Sequence, residues 1–182
     1  MLYRFRYVIL FLLILLLIAS VLLVAMTGYT SFVSSSGSGV PSLFGYRICS
    51  IQTDSMYPEL EPGDLILNKP VEDFSDLRKK DIITYWTVID GERVLNTHRI
   101  TQVYDSGIHR LFVTKGDNNT AEDAVTVDES EVVGQYVFHI GGMGKMLDFL
   151  QTSTGFLVLI MITVLLAGAF LVFILLWKRY YM

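Results

Sequence analysis

DIITYWTVIDGERVLNTHRITQVY, residues 81–104, reads as two strands folded over a tight turn. β-Branched and aromatic side chains crowd Asp81–Val88, Asp90-Gly91 is a hairpin-type turn, and Val94–Tyr104 resumes the same composition. Working outward, Arg47–Ile51 and Asp64–Leu67 are short β-compatible runs separated by Pro58, Pro62 and Gly63, while Leu111–Lys115 and Val132–Ile140 continue the series downstream. Val71–Lys80 is charged and reads as a surface loop or a single helical turn. Strands at short intervals with turn signals between them predict a mainly β fold, an antiparallel sheet or partly open barrel, and argue against βαβ units.

Two apolar runs flank this β-rich segment. Tyr7–Met26 holds 20 residues without a charge and Phe156–Trp177 holds 22; each is long enough to cross the ~30 Å hydrocarbon layer as a helix. The first run exceeds the roughly 7–15 apolar residues of a cleaved secretory signal and lacks a convincing small-x-small cleavage site at Ser20, Ala25 and Thr27, so it reads as a retained anchor. The second ends in Trp177-Lys178-Arg179-Tyr180-Tyr181, an aromatic and basic rim suited to a membrane interface. Arg4 and Arg6 before the first run, with Lys178 and Arg179 after the second, predict that both termini are cytoplasmic and that the intervening segment lies outside.

The expected organisation is therefore a cytoplasmic tail at 1–6, a transmembrane helix at 7–26, a linker at 27–45, an extracytoplasmic β domain at 46–140, a juxtamembrane return at 141–155, a second transmembrane helix at 156–177 and a cytoplasmic tail at 178–182. The Gly/Ser-rich linker TGYTSFVSSSGSGVPSLFG is expected to be flexible or extended, and Met146–Leu150 to begin a helix before the second span. The 52% hydrophobic content overstates the core of the soluble part, since about 125 residues remain for one modest domain.

With 4 of the 14 basic residues in the tails, the segment between the spans carries 10 basic against 18 acidic residues, a net charge of −8. A surface that acidic argues against nucleic acid as a partner. Cys49 is the only cysteine, so no intrachain disulfide can form. No base or metal-ligand pattern surrounds it; it reads as an apolar filler, and neither a metal nor another cofactor is expected.

The residues that carry chemistry begin with Thr53–Pro62, TDSMYPELEP, one linker beyond the first apolar run. Ser55 there needs a base to act as a nucleophile. Of the three histidines, His98 sits mid-strand on one face with Val94, Asn96 and Ile100, where it should be partly desolvated. His109 after a glycine turn and His139 before a glycine pair read as surface or structural residues. An imidazole base needs a carboxylate to fix its tautomer, and Asp117 and Asp123 on the loop after Thr114 are two candidates. Composition alone leaves each open to a plainer role, because an aspartate in such a segment commonly forms turns and a strand histidine is commonly just packed.

Taken together, Ser55-Met56-Tyr57-Pro58, Pro62-Gly63-Asp64, Asp81-Ile82-Ile83-Thr84-Tyr85, Thr97-His98-Arg99-Ile100 and Thr114-Lys115-Gly116-Asp117-Asn118-Asn119 resemble, in order, the conserved boxes of the type I signal peptidases. A histidine where bacterial enzymes carry a lysine makes the chain similar to the endoplasmic-reticulum type, shared by eukaryotes, archaea and some Gram-positive bacteria. The resemblance covers about Tyr46–Tyr136, and the two-span layout matches archaeal and Gram-positive members.

The resemblance implies a membrane-bound serine endopeptidase that cuts exported preproteins after a small-x-small motif. Ser55 would be the nucleophile and His98 the general base and later acid. Asp123 matches the family's orienting aspartate and Asp117 a second important one, with their ranking open. The oxyanion would be held by backbone N–H groups, starting with that of Ser55, and activity would fall as pH drops through the imidazole range. Partners implied are signal-peptide-bearing preproteins and the lipid bilayer, with partner subunits or the secretion machinery left open. The chain departs from the family pattern at Asp54, where Gly is common, and at Tyr57, where Glu is common; Asp54 is expected to cost the turn its most permissive residue. Tyr85 and Trp86 read first as sheet or core packing, and Asn118-Asn119-Thr120 as a coincidental glycosylation match. Two alternatives accompany this reading: a catalytically degenerate scaffold that binds exported segments, and a Ser-Lys peptidase using Lys115 or Lys80.

Overall fold

The computed structural model describes residues 2–35, 39–107 and 109–181. The chain divides into a helical unit, Met1–Ser36 with Phe149–Met182, and a β unit, Gly37–Asp148.

In the helical unit, α1 (Leu2–Ser35) and α3 (Ser153–Tyr181) are long and apolar enough to cross a membrane over Tyr7–Val33 and Ser153–Arg179. They run antiparallel. The Tyr7 ring meets Trp177 edge-on at 5.2 Å near one end, and Gln151 Nε2 donates to Thr30 Oγ1 at 3.3 Å near the other. The first helix does not stop at Met26. Thr27 Oγ1 donates back to the Leu23 and Val24 carbonyls and Thr30 Oγ1 to that of Thr27. Hydroxyls that would solvate a linker are thus satisfied inside a helix, and the expected flexible or extended linker is helical through Ser35. Residues 36–38 of that linker lie outside the described residues, and its last part contains a two-residue strand, β1 (Ser42–Leu43).

The β unit is one eight-stranded antiparallel sheet in the order β1-β2-β3-β8-β4-β5-β6-β7, open between its ends as a half-barrel. The other strands are β2 (Tyr46–Ser50), β3 (Leu65–Lys69), β4 (Ile82–Ile89), β5 (Glu92–Asp105), β6 (Arg110–Lys115), β7 (Val127–Asp128) and β8 (Val132–Ile140). The residue 81–104 hairpin forms as its sequence reads. Asp90 and Gly91 both take positive φ, 52° and 82°, closing a two-residue turn between paired Ile89 and Glu92. Val71–Lys80 contains one 3-10 turn, Phe74–Asp76. The helix expected from Met146 is α2 (Met143–Gln151), which starts earlier and ends before α3.

The period of two along β4 divides its side chains between two cores. Ile83 and Tyr85 join Leu77, Ile100, Phe112 and Val127 in one buried cluster; neighbouring Ile82 joins Ile51, Met56, Leu60 and Ile66 in the other. Met56 and Leu60 therefore root the Ser55 segment in the second cluster. A buried polar bridge runs across the sheet: Thr84 Oγ1 on β4 donates to Asn68 Oδ1 on β3 at 3.1 Å and lies 2.9 Å from Thr97 Oγ1 on β5. Strand β8 lies between β3 and β4, and it offers Gly134 at this level. A Cβ there would sit 2.7 Å from the Lys69 carbonyl oxygen and 3.0 Å from Asn68 Cβ.

Candidate active site

Three separate pieces of chain converge at the end of the first core. Ser55 follows β2 on a turn in which Tyr57 N–H donates to the Asp54 carbonyl at 3.0 Å and Leu60 N–H to that of Met56 at 3.0 Å. The Tyr57–Pro58 peptide within it is cis. Buried Met56 and exposed Tyr57 place the turn at the domain surface with one side chain anchored inward. Asp54 needs no left-handed backbone. Among the described residues, non-glycine positive φ occurs at Phe44, Lys80 and Asp90, so the expected conformational cost of aspartate at this position does not arise, and its side chain is exposed.

His98 stands opposite Ile83 in the β4–β5 pair and is only 4% exposed. Its Nε2 lies 3.1 Å from Ser55 Oγ and its Nδ1 2.6 Å from Asp123 Oδ2. The short carboxylate contact assigns the proton to Nδ1, which leaves Nε2 as the acceptor for the serine hydroxyl. Asp123 is brought back to the sheet by its own backbone, whose N–H donates to the Thr114 carbonyl at 2.8 Å. Thr114 Oγ1 and Tyr85 Oη donate to the same Oδ2 at 2.6 and 2.9 Å. Partial burial opposes the charge of Asp123, yet hydrogen bonds from His98, Thr114 and Tyr85 and the positive charge His98 can carry prevail and hold its carboxyl below the usual range.

Asp117 does a different job. It forms a two-pronged ion pair with Arg99, Nε to Oδ1 at 2.8 Å and a second guanidinium nitrogen to Oδ2 at 2.5 Å. Arg99 also lies 3.9 Å from Glu59 of the Ser55 segment and donates to the Lys80 carbonyl at 3.0 Å. The order left open by the sequence thus has a geometric answer: of the two aspartates, Asp123 reaches the imidazole and Asp117 braces the adjacent arginine.

The remaining candidates fall elsewhere. His109 is exposed beside Glu129, and His139 Nδ1 is 2.7 Å from Tyr136 Oη. Cys49 packs against the second core with Asn68 Nδ2 3.8 Å from its sulfur, and burial pushes its thiol up to about 12, in keeping with a filler role. Sequence reasoning left Tyr85 in the core and passed over Asn96 and Thr53. Tyr85 is indeed 2% exposed, but its hydroxyl enters the site; Asn96 Nδ2 lies 3.1 Å from that hydroxyl, and Thr53 Oγ1 lies 3.2 Å from Ser55 Oγ. The period-two face shared by Asn96 and His98 was the available signal.

Ser55 Oγ, the His98 ring and Asp123 Oδ2 thus lie in one hydrogen-bonded line. No family model matches the chain. Over 101 residues, 56% of the chain, it is 42% identical to signal peptidase I W of Bacillus subtilis. It is 26% identical over 133 residues to the signal peptidase complex catalytic subunit sec11 of Sclerotinia sclerotiorum, covering 69% of the chain and 76% of that protein. A third relative, from Pyricularia oryzae and bearing the same subunit name, is 26% identical over 124 residues, 63% of the chain and 70% of the relative. The comparisons support the signal peptidase I family. The match spans about half of the Bacillus relative, 52% of its length. Alongside this similarity, the chain carries two helices that are long and apolar enough to cross a membrane.

Proposed function

We propose that the chain is a membrane-bound serine endopeptidase that removes signal peptides from exported preproteins. The reading rests on one observation, the unbroken hydrogen-bonded line from Ser55 Oγ through both nitrogens of His98 to Asp123 Oδ2. Ser55 Oγ attacks the scissile carbonyl while His98 Nε2 takes its proton; His98 then gives that proton to the departing amine. Water, deprotonated by the same nitrogen, attacks the acyl-serine and regenerates the hydroxyl. Asp123 holds the imidazole in the Nδ1–H tautomer and offsets its charge during transfer. The backbone N–H of Ser55 is the first donor expected for the oxyanion. Asp117 acts through Arg99 as a brace.

The proposed placement keeps both termini cytoplasmic and the β domain outside, because the flanking Arg4, Arg6, Lys178 and Arg179 follow the positive-inside bias. The first span is extended to Tyr7–Val33 and the second taken as Ser153–Arg179. Relatives named as subunits of a signal peptidase complex make accessory subunits a reasonable expectation for this chain too. A Ser-Lys mechanism is not favoured, since among the described residues Ser55 Oγ meets His98 Nε2 and Thr53 Oγ1. The complete constellation likewise disfavours a degenerate scaffold. Cleavage of a signal-peptide-bearing preprotein by the full chain in membranes tests the proposal: Ser55→Ala and His98→Ala each lower kcat by at least about 1,000-fold, and undiminished processing by either variant overturns it.

A further inference from the structure

The proposed triad uses one oxygen of Asp123, yet that oxygen receives more than the imidazole requires. His98 Nδ1, Thr114 Oγ1 and Tyr85 Oη all converge on Oδ2, from the adjacent strands β5, β6 and β4. The Tyr85 hydroxyl is itself constrained. Thr97 N–H donates to Asn96 Oδ1 at 3.0 Å, which fixes the orientation of the Asn96 amide and leaves its NH2 group facing Tyr85 Oη at 3.1 Å.

That NH2 group also lies 3.3 Å from His98 Nδ1. With the Nδ1 proton committed to Asp123, both groups are donors, and the Asn96 hydrogen is directed to the tyrosine oxygen. One acceptor site of Tyr85 Oη is thereby occupied and its own proton is aimed at Asp123 Oδ2, with Thr114 Oγ1 3.0 Å from the same hydroxyl. Burial pushes the Tyr85 phenol well above its ordinary range, and the neighbouring Asp123 charge adds to this, so the hydroxyl remains a donor at every working pH.

We infer that Tyr85, held by Asn96, is a positioning residue that fixes Asp123 Oδ2 in line with His98 Nδ1 and moderates the carboxylate's pull on the imidazole. This rests on the Ser55-His98-Asp123 reading. The Asn96–Tyr85–Asp123 relay spans two strands and is specified by tertiary contact, since Tyr85 and Asp123 are 38 residues apart. Its effect is twofold. Losing the phenolic donor frees Asp123 to move, which lowers the rate of the proton-transfer step. It also concentrates negative charge on the bond to His98, which favours the imidazolium and brings on acid inactivation at higher pH.

The test is preprotein cleavage by the full chain in membranes, comparing wild type, Tyr85→Phe, Asn96→Ala and Ser55→Ala across pH. Tyr85→Phe keeps the ring in the core and should lower kcat about tenfold with KM within twofold, moving the acid limb of kcat/KM to higher pH. Asn96→Ala, at a half-exposed position, should move both quantities the same way by a smaller factor, and it decides the matter if Tyr85→Phe does not fold. Unchanged kcat and pH profile, or a rise in KM alone, overturns the inference. If wild type and Ser55→Ala cleave alike, the functional reading itself has failed; if cleavage depends on Ser55 and the relay variants match wild type, only the role of Tyr85 and Asn96 has.

Discussion

Asn118 N–H donates to the Ser55 carbonyl oxygen at 2.8 Å, so the loop after β6 grips the backbone of the nucleophile turn. Gly116, two residues earlier in that loop, is buried, and a Cβ on it would come within 2.6 Å of the same oxygen and 2.8 Å of Asn119 Nδ2. The close approach requires glycine. Gly116→Ala should push Ser55 out of line with His98 and lower kcat/KM by roughly 100-fold while the protein stays folded. Cleavage kinetics with a melting curve check both halves.

The two aspartates should separate cleanly. Asp123→Asn leaves the imidazole without its carboxylate and should lower kcat by about 10,000-fold, as tautomer loss does in serine hydrolases generally. Asp117→Asn weakens a partly exposed ion pair with Arg99, which costs about 1 kcal/mol of stability and a smaller loss of rate. Equal losses in the two variants would contradict the assignment of Asp123 as the orienting group.

The depressed carboxyl of Asp123 has a pH signature. Its folded value lies below its unfolded one, so its contribution to stability is present above the unfolded value of about 3.9 and is lost as pH falls through the folded value. Tyr85 has the opposite sign: its folded value is raised, so its contribution is present below about 10 and is lost at more alkaline pH. Asp123→Asn should therefore flatten the acid arm of a stability profile and Tyr85→Phe the alkaline arm, as read by denaturant unfolding across pH.

Asp64 is 6% exposed and accepts from two backbone amides, Glu61 N–H at 2.9 Å and Gly142 N–H at 3.1 Å. It joins the turn after the Ser55 segment to the loop after β8. Asp64→Ala strands both donors and should destabilise the protein by about 2 kcal/mol, with Asp64→Asn recovering part of it. Thermal unfolding would measure the difference.

Much of the fold was legible because it is written in local pattern. The Asp90-Gly91 turn, the strands of β4 and β5 and the span of β8 follow from composition and period. The end of α1 was not legible, because Thr27, Thr30 and their neighbours satisfy helix and linker equally until their hydroxyls find carbonyls one turn back. Strand β7 was missed for its brevity; two residues, Val127 and Asp128, show no period and form a strand only by pairing with Leu111 and Phe112.

The sequence by itself determined the chemistry on offer: a serine outside an apolar run, a strand histidine, two aspartates on one loop and boxes that resemble a known peptidase family. Only the tertiary structure decided which aspartate meets the histidine. Asp117 and Asp123 are six residues apart and chemically identical, and they part because Arg99, the residue after His98, points to the opposite face of β5 and takes Asp117 with it. The same register brings Tyr85 and Asn96, cross-strand partners on the His98 face, to the rim of the site. Strand alternation is visible in a sequence; which side chains meet across strands and loops depends on register, and register is set by the packing of the whole sheet.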